Sequence, residues 1–349
     1  MRIGSQVVGD GATAYIIAEM SGNHGGDLNR ALKIVEAAKA SGANAIKLQT
    51  YTADTITFNG SSRDFLIPDE SPWVDHVNLW ELYNKAHTPW EWHEEIFHKA
   101  KKLGLDYFSS PFDESAVDFL MDLGVSAMKI ASPEITHIPL LEKVARTRLP
   151  IIVSTGLAEQ PDIDLAISTL REAGASDLIL LQCTSAYPAP LSECKLRTMI
   201  DMGKRYKTLI GFSDHTLGSV AAMTAVASGA HVIEKHIDVD DSDTPTVDSF
   251  FSANANEFRQ YVESIRNVEA CLGTIDYRIS ESSAVGLNGR RSLYVVKDIE
   301  PGEELTANNI RCIRPTYGLH PKHYAEVLGK KALHKLSAGA RLKTDSIKW

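Results

Sequence analysis

Residues 208–236 read TLIGFSDHTLGSVAAMTAVASGAHVIEKH, two short apolar runs, Thr208 to Phe212 and His231 to His236, separated by a longer stretch. Short β-branched runs alternating with longer helical patterns are the signature of βαβ units and a parallel sheet. The polar residues make this stretch decisive. The first run leads into Ser213, Asp214 and His215 and the second carries Glu234 and His236, groups too polar and too reactive to be there for packing. In a (β/α)8 barrel the C-terminal ends of the strands meet at one face, and active sites of that fold sit there.

Six earlier runs repeat the pattern: Tyr15 to Glu19, Ala45 to Gln49, Asp106 to Ser109, Ala127 to Ala131, Pro150 to Ser154 and Leu178 to Cys183. Between them lie amphipathic stretches such as LNRALKIVEAAKASG, PWEWHEEIFHKAKKLG and AVDFLMDLG, each closed by a glycine that suits a helix C-terminus. Eight strands with intervening helices predict an α/β fold, a (β/α)8 TIM barrel over residues 1–275. Their ends again carry polar groups: Glu19; Lys47 and Gln49; Ser109 and Ser110; Lys129 and Ser132; Ser154 and Thr155; Thr184 and Ser185.

After Leu272 the grammar changes. GTIDYRISESSAVGLNGRR is polar and aperiodic, so residues 276–290 are expected to link two domains. Residues 291–349 read as short strands around tight PG and AG turns, a small and mainly β domain. Roughly 60 residues is little for independent stability, so docking on a barrel, its own or a partner's, is expected.

Composition narrows the function classes. The chain has 349 residues, 44% of them hydrophobic, and a formal charge of -9, which argues against broad nucleic-acid binding. That charge is uneven: residues 291–349 hold eleven Lys or Arg against six Asp or Glu, a net +5, leaving -14 for the first 290. Cys183, Cys194, Cys271 and Cys312 are scattered without a CxxC pair, so neither a zinc ribbon nor a disulfide framework is suggested. The opening MRIGSQVVGDG lacks the halves of a signal peptide, and no run of about 18 apolar residues is present to span a bilayer. A cytoplasmic enzyme with no membrane partner is expected.

The strand-end residues suggest chemistry. His215 and His236 on adjacent strands, with open positions completed by water or substrate, suit a catalytic divalent ion such as Mn2+ or Mg2+ better than a closed zinc site. Lys47 and Lys129 supply positive charge, and Ser132, Ser154, Ser185 and Ser213 supply hydroxyls, together a cradle for phosphate or carboxylate. Internal pairing with Glu19, Glu134 or Glu234 is expected to absorb one lysine at most, which leaves an anionic ligand for the rest. A Schiff-base lyase using Lys129 is the alternative within catalysis, and a surface- or ice-binding module on an inert scaffold is the alternative outside it. The insert Thr55 to Thr88 carries Phe58, Phe65, Trp73, Trp80 and Tyr83 and is long enough to line a substrate pocket. The GDG and SGNHGG stretches fit neither GxGxxG after a strand nor a Walker sequence, so nucleotide binding is discarded.

AEMSGNHGG, KLQTYTAD, SSPFD, KIASPE, STG, QCTSAYP, GFSDHT and IEKHI, in this order, resemble the sialic acid synthases. RRSLYVVKDIEPGEELTANNIRCIRP resembles the antifreeze-like (SAF) domain of that family. The resemblance implies condensation of phosphoenolpyruvate with an N-acyl amino sugar to a nine-carbon 2-keto acid, in a domain-swapped homodimer. It implies His215 and His236 as metal ligands, and Lys47, Lys129, Ser132, Ser154 and Ser213 as phosphoenolpyruvate contacts. Ser185 stands where the neuraminate branch commonly has Asn. Gln49, Glu134, Tyr187 and Asp248 are similar to sugar-binding positions, Glu19 to the acidic residue beside the reacting centre, and Arg314 to an arginine that reaches the partner's site. LWELYNKAHTPWEWH, SAYPAP and MSGNH resemble the pseudaminic acid branch, which takes a 2,4-diacetamido-2,4,6-trideoxy-altrose for surface glycan or flagellin glycosylation. The alternatives within the family are the neuraminate and legionaminate branches, which use N-acetylmannosamine or a diacetamido-trideoxymannose.

Overall fold

A computed structural model of the chain describes residues 1–239 and 245–349. It separates into two compact units, Met1–Gly273 and Thr274–Trp349. In the first, the strands are β1 (Tyr15–Glu19), β2 (Ala45–Thr50), β3 (Asp106–Pro111), β4 (Met128–Ile130), β5 (Ile151–Ser154), β6 (Leu178–Cys183), β7 (Leu209–Asp214) and β8 (Val232–His236). They form a closed, wholly parallel barrel in sequence order, with β8 pairing to β1. Each strand is buried on both faces, which is why most of the runs are apolar at successive positions rather than alternating.

Helices α1 (Leu28–Ala40), α2 (His93–Lys102), α3 (Glu114–Asp122), α4 (Ile138–Arg146), α5 (Gln160–Glu172), α6 (Leu196–Tyr206), α7 (Val220–Ala227) and α8 (Ala255–Leu272) follow the eight strands in turn. Gly42 and Gly104, which close two of the predicted helical stretches, have φ of 87° and 70°, left-handed values that end a helix without a Cβ penalty. At the start of α8 the Asn254 side chain accepts from the Glu257 N–H at 2.9 Å, and the Glu257 carboxylate accepts from the Asn254 N–H at 3.0 Å, a reciprocal capping box. These local signals set where each helix begins and stops, and so where each strand delivers its C-terminal residues.

Register then aligns the polar ends. Glu19 lies opposite Lys47 on β2 and opposite His236 on β8, and Glu234 lies opposite Ser213 on β7. The close approach of β7 to β8 depends on Gly211, where a Cβ would stand 2.2 Å from the Val232 carbonyl oxygen. The glycine of GFSDHT is thus part of what brings the two histidine-bearing strands together.

The insert after β2 is loosely structured, with a 3-10 turn at Arg63–Phe65 and a helix at Leu79–Ala86. Its aromatics divide. Phe58 is exposed and packs on Phe65, with ring centroids 5.7 Å apart, and Trp80 donates to the Asp54 carboxylate at 2.9 Å. Trp73 instead donates its indole N–H to the Val247 carbonyl at 2.8 Å, which ties the insert to the segment after β8.

The second unit pairs β9 (Ser292–Val295) with β10 (Ile310–Ile313) and β11 (Lys331–Ala332) with β12 (Ile347–Lys348), both antiparallel. Leu293, Val295, Ile299, Leu305, Ile310, Leu336, Leu342 and Ile347 form its own small core. Residues 276–290 hold a short helix, Glu281–Ala284, and a 3-10 turn, Val285–Gly289. Arg314 follows β10 directly and is exposed. Among the described residues no helix is long and apolar enough to cross a membrane.

Candidate active site

At the C-terminal ends of the barrel strands four buried charges meet. Lys47 Nζ lies 2.6 Å from Glu19 Oε2 and 3.8 Å from Glu234 Oε1, and Lys129 Nζ lies 3.4 Å from the same Glu234 oxygen. Each of these side chains is at most 5% exposed. Both lysines are therefore paired internally, which corrects the expectation that carboxylates absorb one lysine at most. The physical reason is closure: pairing β8 with β1 brings Glu234 beside Glu19, so two carboxylates face two ammonium groups. An unpaired charge here would cost several kcal/mol, about 3–5 when one partner of such a pair is removed.

Hydroxyls extend this cluster. Lys129 donates to Ser154 Oγ at 2.7 Å, Lys47 to Ser110 Oγ at 3.4 Å, and Ser213 Oγ donates to Glu234 Oε1 at 3.2 Å. Ser132 Oγ accepts the Gly156 N–H at 3.0 Å. A Cβ at Gly156 would fall 2.4 Å from Ser185 Oγ, 2.9 Å from Cys183 Sγ and 3.0 Å from Ser132 Oγ, so the absent side chain leaves room beside three polar atoms. The four serines expected as an anion cradle are all on this face: Ser154 and Ser213 touch the charged cluster, and Ser132 and Ser185 border Gly156.

The two imidazoles are neighbours, with ring centroids 5.4 Å apart. Nδ1 of His215 lies 2.9 Å from the Thr184 carbonyl oxygen, which can only accept, so Nδ1 carries a hydrogen and Nε2 is the nitrogen that offers a lone pair when the ring is neutral. Nδ1 of His236 is buried without a hydrogen-bond partner among the described residues. Among the described residues no group of three or more His, Cys, Asp or Glu side chains could hold a metal ion. Among those residues the two imidazoles could therefore supply two nitrogen ligands, fewer than the four protein ligands of a closed structural site.

A polar chain leads from the charges toward the insert. Gln49 donates from Nε2 to Glu19 Oε1 and to Ser21 Oγ, each at 3.0 Å, and Ser21 Oγ donates to Asp248. The Tyr187 ring lies tilted beside His215 at 4.5 Å, and Phe251 meets His236 edge-on at 4.8 Å. Trp73 reaches Tyr187 at 5.5 Å and Phe250 at 6.1 Å, closing an aromatic wall next to the histidines. Of the insert's five aromatics, Trp73 joins this wall, and Tyr83 is near enough to Glu134 that its phenol, pushed up first by burial, is pushed further by that carboxylate.

Glu134 differs from Glu19. Its Oε2 is buried with no hydrogen-bond partner among the described residues, and burial pushes its pKa up to about 7, with Lys129 opposing. Glu19 is also pushed up by burial, but it is bonded to Lys47 and Gln49, which oppose that shift. Sequence reasoning named Glu234 only as a neutralising partner, yet it touches both lysines and Ser213 and is the hub of the cluster. Ser21, Ser110, Gly156 and Phe251 were not singled out as site residues. Ser21 and Ser110 sit inside motifs already quoted, SGNHGG and SSPFD, so their signal was present; Phe251 lies beyond the last strand, where periodicity says nothing.

Comparison with known proteins fits this geometry. Residues 34–277 match the NeuB family and residues 290–348 match the SAF domain. A pseudaminic acid synthase of Helicobacter pylori is 44% identical over 95% of this chain and 97% of its own length, and one of Campylobacter jejuni is 41% identical over 96% of each. An N,N'-diacetyllegionaminic acid synthase of Legionella pneumophila is 34% identical over 97% of this chain and 96% of its own. Among solved structures, an N-acetylneuraminic acid synthetase of Leptospira borgpetersenii superposes with a TM-score of 0.72 at 30% identity, covering 82% of this chain and 94% of that one. The family model alone spans more than half of the sequence and nearly the whole barrel, and on that ground the chain belongs to the NeuB family.

Proposed function

We propose that this chain condenses phosphoenolpyruvate with 2,4-diacetamido-2,4,6-trideoxy-β-L-altropyranose, giving pseudaminic acid and phosphate, for surface glycan or flagellin glycosylation. The observation that carries the reading is the buried cluster of Lys47, Lys129, Glu19 and Glu234 facing the His215 and His236 pair, in a chain 41–44% identical to pseudaminic acid synthases. The enol carbon C3 of phosphoenolpyruvate bonds to the aldehyde carbon of the open-chain sugar, and positive charge develops at C2. Water adds at C2 and gives up a proton while the former aldehyde oxygen gains one, and the tetrahedral intermediate then expels phosphate with cleavage of the C–O bond as the C2 hydroxyl loses its proton to form the keto group.

Lys47 and Lys129 receive the phosphoenolpyruvate anion, with hydroxyl donors from Ser132, Ser154, Ser185 and Ser213. Gln49, Glu134, Tyr187 and Asp248 hold the sugar, and the wall of Trp73, Tyr187, Phe250 and Phe251 buries the methyl groups that a 6-deoxy diacetamido sugar offers. His215 and His236 fit a divalent ion, Mn2+ or Mg2+, which when bound supplies Lewis acidity toward the aldehyde oxygen. In the domain-swapped homodimer that the resemblance implies, Arg314 of one chain completes the site of the other.

Glu134 is assigned the proton donor, because a carboxyl with pKa about 7 still carries its proton near neutrality. Turnover is expected to fall as pH rises through about 7, as Glu134 ionises, and this limb is expected to vanish from the kcat profile of Glu134→Gln. Persistence of the limb in that variant refutes the assignment. The substrate is tested by following phosphate release from phosphoenolpyruvate with Mn2+ and each candidate sugar. The diacetamido-trideoxyaltrose is expected to be turned over at least about tenfold better than N-acetylmannosamine, since a site shaped for two buried methyl-bearing groups discriminates by at least that much. A preference for N-acetylmannosamine or the diacetamido-trideoxymannose overturns the proposal.

A further inference from the structure

Asp214 and Lys235 are the middle residues of SDH and EKH, and neither takes part in the chemistry above. They lie opposite each other on β7 and β8. Side chains alternate across a strand, so Ser213 and Glu234, which meet inside the barrel mouth, imply that Asp214 and Lys235 turn outward toward the helices. There they form a buried polar group. Asp214 Oδ1 accepts the Thr216 N–H at 2.8 Å and the Thr216 hydroxyl at 2.7 Å, and Oδ2 accepts the Tyr261 hydroxyl of α8 at 2.8 Å. Lys235 Nζ lies 3.6 Å from Asp214 Oδ2, donates to the Thr216 carbonyl at 2.6 Å, and stands 5.2 Å from the centre of the Tyr261 ring.

The consequence falls on the histidines. His215 sits between Asp214 and Thr216, both gripped by this group, and His236 is joined by one peptide bond to Lys235. One ammonium thus ties the turn that carries the first imidazole to the strand that carries the second. The interface between barrel strands and outer helices is mostly apolar, with another polar contact where Thr50 of β2 meets His93 of α2 at 2.9 Å, and apolar residues of similar volume commonly replace a buried ion pair without loss of stability. Lys235 and Tyr261 clamping the two residues beside His215 are a costly way to fill space and an effective way to fix geometry.

We infer that Lys235, with Asp214 and Tyr261, is a positioning residue that sets the separation and orientation of His215 and His236, so that affinity for the divalent ion depends on a side chain that never faces the site. The inference rests on the reading that these two histidines hold the ion. Beside Lys235 is a cavity of about 400 Å3 lined by Thr216, Gly218, Gln260 and Tyr261, which leaves room for a larger cation in its place.

The test is Mn2+ binding to the full chain without substrates, read from the electron paramagnetic resonance of the free ion, with melting temperature measured separately. His215→Ala is the reference: if it binds Mn2+ as the parent does, the metal reading fails and the inference with it. If binding needs His215, Lys235→Met is expected to weaken Mn2+ by about tenfold or more, the scale on which partners behind metal ligands act, and Lys235→Arg to restore most of that loss. Parent-like affinity in a folded Lys235→Met chain, or an Arg variant no better than Met, overturns the inference while leaving the metal reading intact. Should Lys235→Met not fold, Tyr261→Phe decides: a weaker loss of Mn2+ affinity in the same direction upholds the clamp, and parent-like affinity refutes it.

Discussion

Replacing His215 or His236 by Ala is expected to lower turnover of phosphoenolpyruvate with the sugar by about a thousandfold or more while the barrel stays folded, a loss of about 4 kcal/mol in transition-state stabilisation. The effect is large because the two rings present nitrogen atoms beside the aromatic wall, and one of them, His236, has a buried Nδ1 with no hydrogen bond among the described residues to lose. The fold is expected to survive because Tyr187 and Phe251 still pack over the truncated positions. The double variant is expected to be little worse than either single one, since groups that act as a unit do not add. Measuring kcat and Mn2+ affinity for the three variants checks this. A single variant that keeps a tenth of parental turnover removes the pair from the chemistry.

Glu234→Leu is expected to cost about 3–5 kcal/mol of stability, because it strands the Lys129 ammonium in a closed site with Ser154 as its remaining bonded partner. Lys47 suffers less, since Glu19 stays 2.6 Å away. The measurement is the urea midpoint of each variant, read with an unchanged slope so that the shift reports stability alone. Adding Lys129→Met to Glu234→Leu is expected to recover most of the loss, as removing both partners of a buried pair is often close to neutral. If the double variant is no more stable than Glu234→Leu, the penalty comes from lost packing and not from an unpaired charge. Both chains are expected to lose phosphoenolpyruvate turnover, so stability and not activity separates the two explanations.

Much of the site was legible because the signals that locate it are local. All eight expected runs correspond to barrel strands, and their polar last residues fall at one face because the strands are parallel. The differences are at the ends: β3 continues to Pro111 and β7 to Asp214, each past the predicted limit, because hydrogen bonding between neighbouring strands extends pairing into residues that composition marks as polar. The aromatic insert was less legible. Counting Phe58, Phe65, Trp73, Trp80 and Tyr83 could not tell the rings near the site from those packing elsewhere, since that depends on a bond from Trp73 to a carbonyl beyond β8.

By itself, then, the sequence determined the barrel, the change of architecture after Leu272, and the set of reactive groups at the barrel mouth, because periodicity, glycine placement and strand-end polarity are properties of neighbouring residues. Only the tertiary structure decided how those groups are partnered. Closure of β8 on β1 set Glu234 between Lys47 and Lys129 and gave each lysine a carboxylate partner, and strand alternation turned Asp214 and Lys235 away from the histidines they adjoin. Charge pairing depends on distances between strands far apart in the chain, and no local pattern encodes those distances.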